Sequence, residues 1–121
     1  MVELREPRPD ILACRVTGSI EREDVNRLFA AIDRKTAHGA RLRVYAEISD
    51  LSLMNLIGLS QDLKSWKDRR HLLKQIDKAA VVTDHVLIRQ ALQFKAKVPA
   101  SLEIKLFSLG QRAPARKWIE A

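Results

Sequence analysis

The sequence predicts an α/β fold: a mainly parallel sheet of about five strands, opened by an antiparallel edge strand and accompanied by four helices. From residue 11 onward, segments with the period-two pattern of strands alternate along the chain with segments of helical periodicity. This order is typical of parallel sheets whose strands are connected by helices. The run Ala79-Ala80-Val81-Val82 is apolar on both faces, which indicates a central strand covered on both sides. Because 121 residues suit a single hydrophobic core, we expect one domain over residues 1–121.

The chain opens with a predicted β-hairpin. Residues 2–4 form a short edge strand that two prolines close off, since proline cannot donate to a β-ladder. Residues 11–17 form a second strand that ends at Gly18, and the two strands pair across residues 6–10. The single cysteine, Cys14, falls in this second strand, where we expect a small buried core residue and no disulfide.

A helix over residues 21–38 is predicted next. Its apolar residues recur at helical spacing and are Val25, Leu28, Phe29 and Ile32. Acidic residues begin this segment and basic residues end it, as the helix dipole favours, and Gly39 suits the left-handed residue that stops a helix. We interpret the apolar stripe as core.

The second half continues the alternation of strands and helices. Residues 76–83 form a strand, and Asp84 is a suitable N-cap for a helix over residues 85–97. The predicted buried face of that helix comprises Leu87 or Ile88, Ala91, Leu92 and Phe94. Residues 102–107 form the last strand, and Pro114 suits the first turn of a closing helix that buries Ala115, Trp118 and Ile119.

The stretch over residues 41–74 is the most informative about function. Leu42, Val44, Ala46 and Ile48 alternate with polar neighbours as in a strand. Residues 51–59 are mostly large and apolar, in a run too short to cross a bilayer, which takes about 20 residues. From residue 56 the apolar spacing becomes helical, and basic residues occupy the other surfaces of that helix.

Two interpretations of residues 51–66 remain open. The segment is a buried loop that enters a surface helix, or it is an apolar surface that contacts a ligand, a membrane or a partner. Under the second interpretation the candidate ligand- or membrane-binding residues are Leu53, Met54, Leu56, Ile57, Leu59, Leu63 and Trp66. The candidate basic surface comprises Lys64, Lys67, Arg69, Arg70 and Lys74.

The net charge of +7 is unevenly distributed. Residues 1–60 carry nine Lys/Arg and nine Asp/Glu, whereas residues 61–121 carry thirteen and six. This asymmetry fits an anionic membrane surface or another acidic partner, and it also fits plain solubility. We expect no nucleic-acid partner, because the basic residues are scattered over several elements and six aromatic residues offer little base stacking.

The inventory of reactive residues predicts no enzyme. The three histidines fall in different elements, no HxxH or CxxC spacing occurs, and we expect no metal and no cofactor. Asp50, Asp84 and His85 follow strands whose carboxyl ends meet at the edge where parallel sheets bind ligands. An enzyme hypothesis depends on these three residues, which otherwise serve as caps.

Several segments resemble the SpoIIAA-like family of the STAS superfamily, in matching order and over nearly the whole chain. They are Val16-Thr17-Gly18 before an acidic helix start, residues 44–50, Asp62-Leu63-Lys64, residues 79–84 and Trp118. The resemblance implies a helix-covered sheet, a bacterial cytoplasmic location and no enzymatic activity. The family is likened to lipid-carrying CRAL-TRIO domains, which implies an apolar or acyl-bearing small molecule as a possible ligand.

The chain departs from STAS regulators at one motif. Those regulators carry Asp-Ser-Ser/Thr-Gly at the start of the second helix, where a phosphate on the hydroxyl switches partner binding. The matching positions are Asn55-Leu56-Ile57-Gly58, and leucine and isoleucine have no hydroxyl to phosphorylate. We therefore expect apolar contact in place of a phosphorylation switch.

Three functional hypotheses follow from the sequence. The first is a noncatalytic binding or regulatory domain whose segment 51–66 binds an apolar or lipid-like ligand or a membrane. The second is a protein-interaction module, expected to be a homodimer, which uses the same apolar surface without a phosphorylation switch. The third is an unrecognised enzyme. Charges among the first nine residues argue against a secretory signal, so we expect a cytoplasmic protein, held peripherally at the inner membrane under the membrane hypothesis.

Overall fold

A five-stranded mixed sheet forms the centre of the fold. The structure is a computed structural model that describes residues 1–50, 70–93 and 101–121, with the backbone alone for residues 70 and 91–93. The strands lie in the order β1-β2-β3-β4-β5, with β1 antiparallel to β2 and the other neighbours parallel. They are β1 Val2–Arg8, β2 Ile11–Thr17, β3 Leu42–Ser49, β4 Ile76–Thr83 and β5 Glu103–Phe107. The predicted fold class is confirmed.

Four α-helices lie within the described ranges. They are α1 Arg22–Lys35, α2 Arg70–Leu73, α3 Val86–Gln93 and α4 Arg112–Glu120. Short 3-10 turns at Ala37–Gly39 and Leu109–Gln111 follow α1 and precede α4. α1 is shorter than expected, because the chain leaves the helix at Thr36, and Gly39 takes its left-handed conformation, with φ of 79°, in the turn that follows.

The first strand is longer than the sequence predicted. β1 continues through Pro7 to Arg8, where it pairs with Ile11, and the register shifts between Arg5 and Arg8. A proline is tolerated here because β1 lies at the edge of the sheet and the irregularity removes the need for its missing N–H. The predicted hairpin is therefore confirmed, with a tighter turn at Pro9 and Asp10.

One face of the sheet packs against α1 and is called the α1 face. Its buried residues form a cluster that includes Leu12 of β2, Phe29 of α1 and Leu72 of α2. Cys14 lies in an adjacent cluster with Val2 and Val16, and burial raises the pKa of its thiol to about 12. The expectation that Cys14 is a core residue is confirmed.

The opposite face packs against α4 and is called the α4 face. Its buried cluster comprises Tyr45, Ala80, Val82, Phe107, Ala115 and Ile119. Two arginines from the sheet hold the last turn of α4, because Arg43 Nη1 donates to the Ile119 carbonyl at 3.0 Å and Arg8 Nη1 to the Glu120 carbonyl at 3.3 Å. Cations at a helix C-terminus also interact favourably with the helix dipole.

The helix α3 resolves an alternative that the sequence left open. Leu87 is 46% exposed, whereas Ile88 is half-buried and packs against the cluster around Cys14. Among the side chains that the structure describes, the buried face therefore uses Ile88. The other residues predicted for this face, Ala91, Leu92 and Phe94, lie outside those side chains. The helix begins at Val86, so Asp84 precedes the N-cap position, and its carboxylate accepts a hydrogen bond from the Leu109 N–H at 3.0 Å.

Candidate functional site

Most of the predicted binding residues lie outside the described ranges. These are Leu53, Met54, Leu56, Ile57, Leu59, Leu63, Trp66, Lys64, Lys67 and Arg69. Arg70 is the first residue of α2 within the described ranges, which include its backbone alone. Lys74 is exposed and lies two residues before the first residue of β4, and its carbonyl accepts a hydrogen bond from Arg41 Nη1 at 2.7 Å. Lys74 therefore lies at the amino edge of the parallel strands, opposite the edge from which residues 51–66 depart.

The carboxyl edge is the edge at which β2, β3 and β4 end. Asp50 lies there after β3, and Val86 and Leu87 lie there after β4, with exposed fractions of 63% and 46%. Met1 reaches the same edge because β1 runs antiparallel, and its ammonium group donates to the Thr17 and Ser19 carbonyls. Met1 is 57% exposed. Within the described part of the chain, these are the exposed large hydrophobic residues, and all three share the edge where residues 51–66 begin.

Two side chains of the carboxyl edge, those of Asp84 and Thr83, accept hydrogen bonds that hold the loops. The Asp84 carboxylate accepts a hydrogen bond from the backbone N–H of Leu109, and the backbone N–H of His85 donates to Thr83 Oγ1 at 3.1 Å. Asp50 is exposed at φ of 54°. His85 Nδ1 is buried without a hydrogen-bond partner among the described residues. The structure thus gives Asp84 a structural role in place of the predicted N-cap.

The α4 face carries a buried carboxylate that arginine side chains contact. Glu47 is 3% exposed, and its Oε1 accepts from Arg112 Nε at 2.8 Å and from the Tyr45 hydroxyl at 3.2 Å. Its Oε2 lies 3.2 Å from Arg15 Nε. Arg116 lies beside the Tyr45 hydroxyl and offsets part of the rise in the pKa of that phenol. We call these five residues the Glu47 cluster.

The cluster fixes the charge states of its acidic members. Burial acts to raise the pKa of the Glu47 carboxyl, but Arg112, Tyr45 and Arg15 outweigh burial, and the pKa lies below its ordinary value. The pKa of Tyr45 is raised by burial and by the neighbouring Glu47 charge. Glu47 is thus an ionised ion-pair partner near neutral pH, and such a group is a poor general acid there.

The sequence contained a signal for this cluster that our predictions did not use. Glu47 lies in a strand flanked by parallel neighbours, where both faces are covered and a carboxylate needs partners. Arg112 and Arg116 are four residues apart and so share one face of the closing helix. Nothing in the sequence alone shows that this helix returns to the β3 side of the sheet.

A cavity of about 410 Å³ adjoins the Glu47 cluster. It lies on the α4 face between β1 and the outer side of α4, with β2 and β3 beneath it. Ile11, Ala13 and Tyr45 form the floor, and the rims carry charged residues. Such a volume falls within the range of small-molecule pockets, roughly 300–1,000 Å³.

Among the described residues, no helix combines the length and apolarity that crossing a bilayer requires. Within the same ranges, no three His, Cys, Asp or Glu side chains converge as a metal site.

Comparisons with known proteins bear on the family and the fold. The model of the family described as SpoIIAA-like matches residues 11–120. No curated protein matches the chain.

Two solved structures share the fold. One is an uncharacterized protein of the DUF3478 family from Shewanella loihica PV-4 with a SpoIIAA-like fold. It is 18% identical with a TM-score of 0.65, covering 98% of this chain and 92% of that one. The other is the Bacillus cell fate determinant SpoIIAA in its phosphorylated form. It is 15% identical with a TM-score of 0.54, covering 87% of this chain and 91% of that one.

Proposed function

The chain belongs to the SpoIIAA-like family, and we propose that it is a noncatalytic binding domain that attaches reversibly to an anionic lipid membrane through its carboxyl edge. The observation that carries this proposal is the position of Met1, Val86 and Leu87. These exposed hydrophobic residues share the edge from which the apolar residues 51–59 depart. Exposed apolar side chains that collect on one side of a protein are a feature of interaction and membrane-contact surfaces.

The exposed hydrophobic area supports a weak, reversible attachment. Burying the exposed parts of Met1, Val86 and Leu87 in lipid is worth roughly 2.5–5 kcal/mol, from about 1.5–3 kcal/mol for a complete side chain. Apolar residues of segment 51–59 that insert add to this figure. The total suits a peripheral protein that exchanges with solution.

Electrostatic attraction contributes less than apolar contact. The described part of the carboxyl edge carries both signs, with Arg22 and Arg112 near Glu23 and Asp84. Lys64 and Lys67 supply the excess of positive charge under this proposal, each worth about 1 kcal/mol near an anionic surface. Lys74 lies at the amino edge and makes no such contribution.

Sedimentation with vesicles tests the proposal. The full chain is mixed with vesicles of phosphatidylglycerol and phosphatidylcholine, or of phosphatidylcholine alone, at 50 and 300 mM salt. We expect stronger binding to the anionic vesicles, reduced but not abolished by the higher salt, because screening removes the electrostatic part alone. Absence of binding to anionic vesicles at low salt contradicts the proposal.

Charge variants localise the contact. Lys64→Gln and Lys74→Gln remove the same charge, one within the predicted contact segment and one at the amino edge. We expect weaker vesicle binding for Lys64→Gln and unchanged binding for Lys74→Gln. If both variants lose binding equally, general charge and not the carboxyl edge governs attachment.

The same apolar surface also fits a homodimer interface, and this is the alternative to membrane attachment. Light scattering over a concentration series separates the two. A dimer that persists at low concentration and fails to bind vesicles identifies a protein interface, whereas a monomer that binds vesicles supports membrane attachment.

A further inference from the structure

The cavity on the α4 face lies apart from the carboxyl edge. We propose that it binds a small organic anion, a carboxylate or phosphate group on an apolar body. Its centre is one row of the sheet, in which the register places Arg5 of β1 opposite Ala13 of β2 and Ala13 beside Tyr45 of β3. Arg116 of α4 lies beside the Tyr45 hydroxyl at the far end of this row.

The small side chain of Ala13 creates the space. Ala13 lies between Arg5 and Tyr45 in this row, and neighbouring strands are about 4.8 Å apart. A methyl group between two long side chains leaves a hollow whose floor continues onto Ile11 and the ring of Tyr45. This floor suits an apolar ligand body.

Two guanidinium groups that face the hollow have no carboxylate partner among the described residues. The ion pairs of the described chain do not include Arg5 or Arg116, although both line the cavity from opposite sides. Guanidinium groups bind carboxylate and phosphate oxygens with two parallel hydrogen bonds. An anion held between them satisfies guanidinium donors that no carboxylate of the described residues occupies.

The carboxylates that line the cavity compete weakly with this role. Glu47 is held by Arg112 and Arg15, and Glu6 forms ion pairs with Arg34 and Lys35 of α1. The rims also carry Glu3 and Glu120, which are exposed, so that solvent screens their charges. An anionic ligand is therefore favoured nearest Arg5 and Arg116, in the middle row.

Octanoate is the probe that tests the site, followed by backbone amide shifts in a nuclear magnetic resonance titration of the full chain. Octyl phosphate, octanol and octylammonium form the comparison series with the same apolar body. We expect saturable shifts at Arg5, Ala13 and Tyr45 with octanoate or octyl phosphate, and none with the uncharged or cationic analogues. The stronger of the two anions identifies whether carboxylate or phosphate is the preferred head group.

Substitutions then locate the contacts. Arg5→Gln and Arg116→Gln are each expected to weaken octanoate binding about tenfold or more, since each loses a hydrogen bond to a charged group. Ala13→Leu fills the hollow and is expected to abolish binding. Lys117→Gln removes the neighbouring exposed charge of α4 as a matched control and is expected to leave the affinity unchanged.

Several results overturn the proposal. Octanol binding as tightly as octanoate, shifts confined to Val86 and Leu87, or folded Arg5→Gln and Arg116→Gln variants with unchanged affinity each exclude an anion site on the α4 face. Thermal melts establish that both arginine variants are folded. Since neither arginine lies at the carboxyl edge, both variants are expected to retain vesicle binding, which separates this site from the proposed membrane contact.

Discussion

Replacing Glu47 by glutamine tests how much the Glu47 cluster stabilises the fold. Glutamine keeps the shape and one acceptor oxygen, but its amide nitrogen replaces an oxygen that accepts from Arg15, Arg112 or Tyr45. A hydrogen bond to a charged group is worth about 1.5–3 kcal/mol. Because Arg15 and Arg112 are 48% and 46% exposed, water replaces part of the lost interaction.

We therefore expect Glu47→Gln to lower the free energy of unfolding at pH 7 by about 2 kcal/mol. For a domain of this size that corresponds to a melting temperature lower by roughly 6–12 °C. The matched control is Glu103→Gln, which removes an exposed carboxylate from the edge strand β5. The control is expected to change stability by less than about 0.5 kcal/mol.

The stability that Glu47 contributes is expected to depend on pH, and the direction of that dependence follows from its pKa. The pKa of Glu47 is below its ordinary value in the folded protein, so the unfolded chain binds more protons as the pH falls through about 4.3. The stability from Glu47 is therefore present at neutral pH and lost in acid. Arg8 also lowers the pKa of Asp10 through a hydrogen bond. Protonation of Asp10 changes the stability of wild type and of Glu47→Gln equally, so it cancels in the difference between their unfolding free energies.

Urea unfolding of wild type and Glu47→Gln at pH 7 and pH 3.5 measures this difference. We expect a difference in unfolding free energy of about 2 kcal/mol at pH 7 and a smaller difference at pH 3.5. The role assigned to the cluster is refuted if Glu47→Gln unfolds at the same urea concentration as Glu103→Gln at pH 7. It is also refuted if the difference in unfolding free energy between wild type and Glu47→Gln is the same at both pH values.

Two further predictions concern the carboxyl edge and the core. The double variant Val86→Ala/Leu87→Ala is expected to weaken vesicle binding by about 2 kcal/mol, roughly thirtyfold. This figure takes about 0.8 kcal/mol for each CH₂ group removed and scales it by the exposed fractions of Val86 and Leu87, 63% and 46%. Unchanged sedimentation of that variant excludes these side chains from the contact. The Cys14 thiol, buried and with its pKa raised to about 12, is expected to resist Ellman's reagent in the native protein and react fully in denaturant. Rapid native reaction contradicts its place in the core.

The strand pattern was predictable because period-two alternation and both-face apolarity depend on local sequence. β2 and β4 have the predicted bounds, and β4 lies between β3 and β5 as its Ala79–Val82 run indicated. The length of β1 was not predictable from proline alone. An edge strand with an irregular register accommodates Pro7, and both conditions depend on tertiary structure.

The features of the α4 face were not predictable from single elements. The ion pair between Glu47 and Arg112 joins residues 65 positions apart, and it exists because α4 folds back across β3. Ala13 reads as an ordinary small core residue in the sequence, and its importance arises from the long neighbours that the register gives it. The exposure of Leu87 likewise depends on which face of α3 meets the sheet.

A fluorescent label at the carboxyl edge provides the most direct measurement of the membrane contact. Leu87→Cys and Lys74→Cys are each labelled with an environment-sensitive nitrobenzoxadiazole group, while Cys14 stays unlabelled because it is buried. On addition of anionic vesicles, we expect a blue shift and stronger emission at position 87 and no change at position 74. An unchanged signal at position 87, or equal changes at both positions, contradicts attachment through the carboxyl edge.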